Sequence, residues 1–369
     1  MQPLARNGYT SAQVLAALVS GNRQMSFRYE LLDSANAHKG YLTDVLGATV
    51  TVDSEAEIKR TASIQLREDG SIDYLSDRIK PWVRLLMPDG GYAEFPQGVF
   101  LPATPPRESD AAGVIQRKVE AYDQGLVLAE DRVGVRYVVA AGTNYIAAVK
   151  AVLDGAGLTM QNLQATAETL PAARDWAIGT TKLRIVNDLL AAINYLPLWF
   201  DENGRATAQA YLSPDSRAPE YAYATNDESV ILPGVKNSLD TFAVPNRWIV
   251  VVSEPDRAPL IATYTNTNPS SRTSTVSRGR TIVDFREGVE GSGQTVLEAL
   301  VERMAFEASQ VYEEVELSTM LMPMHSHLDV VTLRHTALSI SAKFSELSWS
   351  MELKAGGSMR HQLRRVVSI

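Results

Sequence analysis

Apolar and polar side chains alternate with a period of two along several stretches in the first third of the chain. In residues 26–33, Phe27, Tyr29 and Leu31 fall on one face and polar residues fall on the other. The stretch 58–67 repeats this alternation, which is typical of strands with one buried face. Further strands are predicted at 48–53, 82–87, 92–95 and 114–123, with a Pro-Asp-Gly-Gly turn at 88–91. We therefore expect an antiparallel β domain over residues 26–130.

The pattern changes to helical spacing after residue 131. A first helix carries an apolar stripe at 146, 149, 152 and 153, with Thr143 as its predicted N-cap and Gly155 and Gly157 ending it. A second helix follows Thr180 and Thr181. It leads into the stretch 196–214, where Asn203-Gly204 predicts a hairpin turn. Residues 131–212 are thus predicted to form a small α+β insert domain of two helices and a hairpin.

Residues 213–369 are predicted to form a second, mainly antiparallel β domain with one long helix at about 294–312. The stretch 247–253 is continuously apolar after Arg247, which predicts a strand covered on both faces. Residues 264–280 lack an apolar period and are predicted to form a long loop. Within 344–354, Leu347 and Trp349 alternate with polar residues that include Glu346. The remaining strands are predicted at 281–285, 315–322, 328–334, 344–354 and 359–368.

The first 25 residues form an N-terminal arm in this scheme. Thr10 and Gln13 have the spacing of a capping box, so residues 10–20 are predicted to be a short helix rather than the apolar core of a signal peptide. The chain has no stretch of about 18 apolar residues, and we expect no membrane insertion. It has no cysteine, which excludes disulfides, zinc–thiolate sites and iron–sulfur clusters.

The net charge of −8 argues against wrapping duplex DNA, because phosphate contacts need clustered Lys and Arg. An acidic chain is compatible with lining a channel through which DNA slides. The basic residues near the end of the chain alternate partly with apolar ones, which favours a solvated strand face over a binding patch. This basic set consists of Lys354, Arg360, His361, Arg364 and Arg365.

His325, His327 and Asp329 form the best candidate metal site. On a strand, positions 325 and 327 point the same way, so both imidazoles could meet one ion. No further histidine lies at ligand spacing, however, and the segment sits where a strand follows a loop. The favoured interpretation is a polar turn, and no metal or other cofactor is predicted.

Two groups of acidic residues are candidates for catalysis or calcium binding. The run Glu313, Glu314 and Glu316, considered with Asp284 and Glu287, could supply a carboxylate pair for glycoside cleavage, but a solvated helix end is favoured. The tip of the 196–214 hairpin carries Asp201, Glu202 and Asn203, yet it lacks the twelve-residue pattern of a calcium loop. Nucleophile elbows, Walker loops and Rossmann fingerprints are absent from the sequence. We predict no catalytic, cofactor-binding or metal-binding residue, and no enzyme.

The order of these elements resembles the tail hub family of bacteriophages, which includes baseplate hub proteins, tail-associated proteins and late-control tail proteins. Three parts of the chain carry the resemblance. The segments GTNYIAAVKAVLDGAG and IGTTKLRIVNDLLAAINYLPLWFDENGRATAQ resemble the insert of the hub fold. SRGRTIVDFRE followed by TVLEALVERMAFEASQ resembles its strand and long helix. The segment from HSHLDVV to HQLRRV resembles the closing strands of its second domain.

The resemblance implies two tube-like β-barrel domains and a homotrimer in which these domains alternate around a ring. It further implies a virion protein at the tail tip, such as a minor tail protein, assembled in the host cytoplasm. The implied neighbours are a distal tail or tail tube protein, the tape measure protein and a central fibre or spike protein. DNA would pass through the ring without specific binding.

Two other functions stay open on the sequence. A cell-wall hydrolase or carbohydrate-binding tail module would use Trp199, Trp248 or Trp349 to stack on sugars, although tryptophans at such strand positions are more often core residues. An effector spike protein of a phage-like injection system would share the ring architecture.

Overall fold

A computed structural model describes residues 1–109, 114–239, 241–252, 259–287, 294, 297–298, 301–302, 304–305 and 310–368. The chain has two compact units. The first comprises Met1–Val235 and Leu317–Leu363, and the second comprises Lys236–Glu316 and Arg364–Ile369. The predicted domain boundaries at 25, 130 and 212 remain predictions.

Besides the helical residues between 294 and 305, the described residues contain five α-helices and 23 strands with defined bounds. The helices are α1 (Ser11–Val19), α2 (Gly125–Glu130), α3 (Tyr145–Asp154), α4 (Lys182–Ala191) and α5 (Thr275–Arg278). The first strands are β1 (Met25–Leu32), β2 (His38–Leu42), β3 (Val45–Asp53), β4 (Arg60–Arg67), β5 (Arg78–Leu86), β6 (Tyr92–Pro96), β7 (Phe100–Pro102), β8 (Glu108–Ser109), β9 (Ile115–Asp123), β10 (Tyr137–Val139), β11 (Gln161–Leu163) and β12 (Arg174–Trp176). The later strands are β13 (Trp199–Phe200), β14 (Ala206–Ala208), β15 (Tyr221–Ala224), β16 (Lys236–Leu239), β17 (Arg247–Val252), β18 (Leu260–Thr265), β19 (Val283–Glu287), β20 (Gln310–Met320), β21 (Val330–His335), β22 (Ile340–Leu353) and β23 (Ser358–Ser368).

One large sheet dominates the first unit. Its strands follow the order β23-β22-β3-β4-β9-β7-β5-β1-β2, and β21 pairs with β22 at its side. The pairs β22–β3, β3–β4, β4–β9 and β1–β5 are antiparallel, whereas β15 pairs with β21 in parallel. The fold class is therefore α+β with mainly antiparallel strands, as the alternation predicts.

The alternating stretches of the first 130 residues are strands at the predicted places. In β4, Ala62, Ile64 and Leu66 are buried on one face, and the β5–β6 hairpin turns at residues 87–91. Thr10 and Gln13 form the predicted capping box of α1, whose Val14 and Leu18 are buried. Among the residues that the structure describes, no helix is both long and apolar enough to cross a bilayer.

Helices α3 and α4 pack with the short strands around them into an apolar core of their own. The N-cap of α3 is Asn144 rather than the predicted Thr143, because the Asn144 carboxamide oxygen accepts the backbone N–H of Ala147. Helix α4 follows Thr180 and Thr181 as predicted, and Thr181 is its N-cap. The hairpin β13–β14 also forms, but only Gly204 has positive φ, so the Asn203-Gly204 turn is not the predicted two-residue type. The loop 201–205 is held instead by the Asp201 carboxylate.

The second unit contains a three-stranded sheet in the order β18-β17-β19. Trp248 and Val250 of β17 are buried with Leu297, Val301 and other residues of a helical segment. Ile249, on the opposite face of β17, is only half-buried. The expectation of a strand covered on both faces is therefore wrong.

Two further predictions for the second unit need correction. The stretch 264–280 is not a continuous loop, since its start belongs to β18 and Thr275–Arg278 forms the single turn α5. The long helix does not reach residue 312, because β20 begins at Gln310. Gln294, Leu297–Glu298, Val301–Glu302 and Met304–Ala305 are helical, whereas 295–296, 299–300, 303 and 306–309 lie outside the described residues.

Candidate functional site

Five titratable side chains meet in the core of the first unit. They come from a strand, a loop and two further strands, and each is at most 3 % exposed. We call this set the buried cluster. It consists of Tyr223, His325, Asp329, Glu346 and His361.

Four parts of the fold position these five side chains. Tyr223 lies in β15, and His325 and Asp329 lie in the loop 321–329 between β20 and β21. Glu346 is in β22, and His361 is in the neighbouring strand β23. The loop brings His325 and Asp329 over the two strands, so residues that are far apart in the chain meet at one point.

Glu346 faces the core because the alternation of buried positions along β22 shifts by one residue beside it, where the strand also changes partner. Up to Ser345 the strand pairs with β21, and from Ser348 onward it pairs with β3. The buried positions are 344 and 346 before this change and 349, 351 and 353 after it. The predicted grouping of Leu347 with Trp349 is thus wrong at its first member, since Leu347 is half-buried and Glu346 is buried.

Glu346 is the centre of the contacts in the buried cluster. Its Oε1 lies 2.5 Å from His361 Nδ1, and its Oε2 lies 2.5 Å from His325 Nδ1. His325 Nδ1 is also 3.1 Å from Asp329 Oδ2. Asp329 in turn accepts the backbone N–H of Ser326 and lies 2.6 Å from the Met1 ammonium. Two carboxylates and two imidazoles therefore share one buried volume.

The far nitrogens of both imidazoles contact hydroxyl groups. His325 Nε2 lies 2.6 Å from the Tyr223 hydroxyl, and the two rings stack with an interplanar angle of 6°. His361 Nε2 lies 2.8 Å from Thr319 Oγ1. These contacts fix the orientation of both rings.

Burial and the neighbouring charges act in opposite directions on the pKa values of this cluster. Burial disfavours a charged His325, but Glu346 and Asp329 outweigh it and raise its pKa to about 9. For His361 burial prevails over the attraction of Glu346 and lowers the pKa. Burial opposes the charge of Glu346, yet the two histidines bring its pKa below the ordinary value. The cluster thus favours ionised carboxylates and one charged imidazole.

His327 does not join the buried cluster, so His325 and His327 do not converge on one point as the disfavoured metal-site interpretation required. The segment is a loop rather than a strand, and the His327 ring stacks on Trp199 with centroids 5.0 Å apart. Burial, aided by Lys59 and Arg60, lowers the pKa of His327 to about 3. His325 and Asp329 do meet, although with Glu346 and His361 rather than with His327.

The acidic run at 313–316 lies in β20 and not at a helix end. Glu313 pairs with Arg365 at 2.5 Å, Glu314 pairs with Arg364 at 2.8 Å, and Glu316 lies 3.4 Å from Lys236. These ion pairs neutralise the three carboxylates. They account for the acidic run without a catalytic carboxylate pair. Part of the predicted basic face is therefore paired, while His361 is buried.

The remaining candidates have structural roles. The Asp201 carboxylate accepts the backbone N–H groups of Asn203 and Arg205, as expected of a scaffold hairpin. Trp199, Trp248 and Trp349 are all buried, at 9 %, 2 % and 2 % exposure. A sugar-stacking platform needs an exposed ring face, which these three side chains lack.

Sequence analysis missed Glu346, His361 and Tyr223 as partners of His325. One signal was present for His361, because Met359 and Leu363 flank it at two-residue spacing and thus predict an inward side chain. No comparable signal marks Glu346, since its orientation depends on a shift in the alternation of buried positions within β22. The buried cluster can hold protons or a cation, but its burial keeps a substrate from reaching it.

No protein-family model matches this sequence, and a search of curated proteins finds no relative. Solved structures with a similar fold exist. The prophage MuSo2 43 kDa tail protein from Shewanella oneidensis superposes with a TM-score of 0.60 at 11 % identity, over 92 % of this chain and 98 % of that one. A tail protein from Neisseria meningitidis gives 0.59 at 10 % identity, over 92 % and 97 %.

A chain in the structure of a Francisella PdpA–VgrG complex superposes with a TM-score of 0.57 at 8 % identity. The match covers 95 % of this chain and 60 % of that chain. Identities this low bear on the fold alone. The chain therefore has the fold of bacteriophage tail proteins, and the resemblance expected from its order of elements is confirmed at the level of the fold.

Proposed function

We propose that this chain is a structural protein of a phage tail, forming the hub ring at the tail tip or baseplate. The observation that carries the proposal is the match to two tail proteins over more than nine-tenths of both chains. A fold shared over the whole length is more informative than a shared module.

In this proposal three copies close a ring with a central channel, and the ring joins the tail tube to a fibre or spike. The tape measure protein and a distal tail protein would be its other neighbours. The net charge of −8 would let DNA slide through the channel without sticking, because like charges repel. Nothing in this role requires catalysis, and we propose that the chain is not an enzyme.

An apolar sheet face in the second unit is a candidate contact between copies. Ile261, Val283 and Phe285 are 53 %, 47 % and 54 % exposed. They lie on the face opposite Trp248, since Phe285 pairs with Ile249 and Ile261 pairs with Val251. A ring interface would cover this face, because obligate interfaces bury apolar surface.

The test is the mass of the purified chain in solution. A hub ring predicts three times the 40.4 kDa chain mass, and particle images should show a central channel. Phe285→Asp should shift the mass toward the monomer, because a charge would be buried at the interface. Leu75→Asp is the matched control, since Leu75 is 91 % exposed and outside this face.

A monomer at all accessible concentrations would contradict the ring. The location is tested separately by gold-labelled antibodies on virions that contain the chain, which should mark the distal end of the tail. Clearing of purified cell wall by the chain would contradict the non-enzymatic role and favour the hydrolase alternative.

The second candidate is a spike component of a phage-like injection system. It is favoured by the match to a chain in a VgrG complex, of which this chain covers 60 %. The same antibodies would then label an injection apparatus rather than a virion tail.

A further inference from the structure

We propose that His325, Glu346 and His361 bind one divalent transition-metal ion, of which zinc fits best, in the core of the first unit. We call this the metal site. Its ligand atoms would be the Glu346 carboxylate and the two Nδ1 nitrogens, each of which lies 2.5 Å from one carboxylate oxygen. One ligand atom of each of the three residues lies within 4.8 Å of one from each of the other two. This inference is independent of the tail role, because it rests only on contacts within the first unit.

The protons around His361 are the first argument. The Thr319 hydroxyl donates its single hydrogen to the Met320 carbonyl at 2.7 Å. In the 2.8 Å contact with His361, Thr319 Oγ1 is then the acceptor, so His361 Nε2 carries a hydrogen. A neutral His361 therefore has a lone pair on Nδ1.

That lone pair lies 2.5 Å from Glu346 Oε1, which is also an electron-rich atom. The contact is favourable only if a positive centre lies between them, either a second proton on His361 or a metal ion. The other carboxylate oxygen, Glu346 Oε2, is buried and accepts no hydrogen bond, so it too is available to a cation. A metal ion resolves the contact without charging the imidazole.

The orientation of the imidazoles is the second argument. A metal-binding histidine usually donates its other N–H to a fixed oxygen. His361 has Thr319 in this position, and His325 has the Tyr223 hydroxyl at 2.6 Å from its Nε2. Both rings are thus held with Nδ1 toward the same carboxylate.

The donor set identifies the class of ion. Two imidazoles and one carboxylate suit zinc and its first-row neighbours, whereas Mg²⁺ and Ca²⁺ prefer six or more oxygens. Tetrahedral zinc places its ligand atoms about 3.3 Å apart, so the 2.5 Å contacts would open by less than about 1 Å. Asp329 or a water would complete the coordination.

The experiment uses the untagged chain, purified without chelator and analysed for metals by mass spectrometry. We expect about one ion of zinc or a first-row neighbour per chain after equilibration with the metal and removal of excess. Chelation should lower the Tm, and added Zn²⁺, but not Mg²⁺, should restore it. In the Co²⁺ form, visible absorption bands should report imidazole and carboxylate ligation.

Two variants separate a metal site from a metal-free network of ion pairs. Thr319→Val and Tyr223→Phe remove the hydroxyls that orient the imidazoles and should weaken Zn²⁺ binding by about 10- to 100-fold. His327→Gln is the matched control, because it removes a buried imidazole that lies outside the metal site. It should keep wild-type affinity and stoichiometry.

Wild-type chain that retains no metal and whose Tm is unchanged by Zn²⁺ and chelator would overturn the proposal. Equal affinity in wild type, Thr319→Val and Tyr223→Phe would overturn it as well, because binding would then lie elsewhere. The wild-type measurements decide the question even if a variant fails to fold.

Discussion

The imidazole of His327 stacks on the indole of Trp199, with ring centroids 5.0 Å apart and ring planes 27° apart. The imidazole is buried beside Arg60 and Lys59, whose charges repel an added proton. His327 is therefore a neutral core residue near neutral pH, although two positions away His325 is surrounded by carboxylates. The two histidines differ in charge because the loop directs their side chains into different surroundings.

This stacking predicts a pH dependence of stability. The pKa of His327 is about 3 in the folded chain and about 6.5 when unfolded, so the unfolded state binds more protons between these values. The contribution of His327 to stability is complete above pH 6.5 and decreases as the pH falls. Between pH 8 and pH 5 the loss is about 2 kcal/mol.

Urea unfolding of wild type and His327→Gln at both pH values measures this loss. The variant should lose about 2 kcal/mol less than wild type between pH 8 and pH 5, because glutamine does not titrate. Other groups contribute equally to both proteins and cancel in the comparison. The same pH dependence in both proteins would show that His327 is accessible to protons in the folded chain.

The cap of α3 provides a second prediction. Asn144→Ala should lower the free energy of unfolding by about 1–2 kcal/mol, because the N-cap bond to Ala147 is lost. The Asn144 amide also donates to the carbonyls of Thr166 and Glu168. Thr143→Ala is the control and should have the smaller effect. Chemical denaturation measures the free energy of unfolding of both variants. A larger loss for Thr143→Ala than for Asn144→Ala would identify Thr143 as the N-cap.

Gly98 predicts a large effect of a single methyl group. Its φ is +129°, and a Cβ there would lie 2.6 Å from Arg60 Cδ and 2.8 Å from the Phe100 ring. Both neighbours are buried and cannot move aside, so Gly98→Ala should destabilise the fold by about 2–5 kcal/mol. Gly21→Ala meets no atom within 4 Å and should change stability by at most about 0.5 kcal/mol. Thermal unfolding measures the Tm of each variant. Equal Tm values for Gly98→Ala and Gly21→Ala would contradict this packing.

The hairpin tip allows a test of scaffold against calcium site. Asp201→Ala should lower stability by about 1 kcal/mol or more, because two backbone N–H groups lose their acceptor. Glu202→Ala removes a neighbouring carboxylate that accepts no backbone N–H of this loop and should have little effect. Added Ca²⁺ should leave the Tm of wild type unchanged. A rise in Tm that both substitutions abolish would favour a calcium site instead.

Local pattern was sufficient for most elements of the fold. Strands with one buried face and capped helices are recognisable from a few neighbouring residues, as β4 and α4 show. The predictions failed where tertiary contacts decide. Glu346 turns inward where the alternation of β22 shifts and the strand changes partner. Residues 310–312 join a strand although their spacing also suits a helix.

The buried cluster could be predicted only in part, for a related reason. His325 and Asp329 are close in the chain, and their proximity is visible in the sequence. Tyr223, Glu346 and His361 reach them only through the order of strands in the sheet. Sequence spacing alone does not contain that order.

The pairing of β3 with β22 also constrains how the first unit reaches its native state. Ala48 is registered opposite Leu353, so β3 lacks this neighbour until residues 340–353 have left the ribosome. Contacts between such distant positions slow folding and leave early strands with open edges during synthesis. We expect nascent chains shorter than this to depend on chaperones, and the first unit to mature only after translation has passed β22.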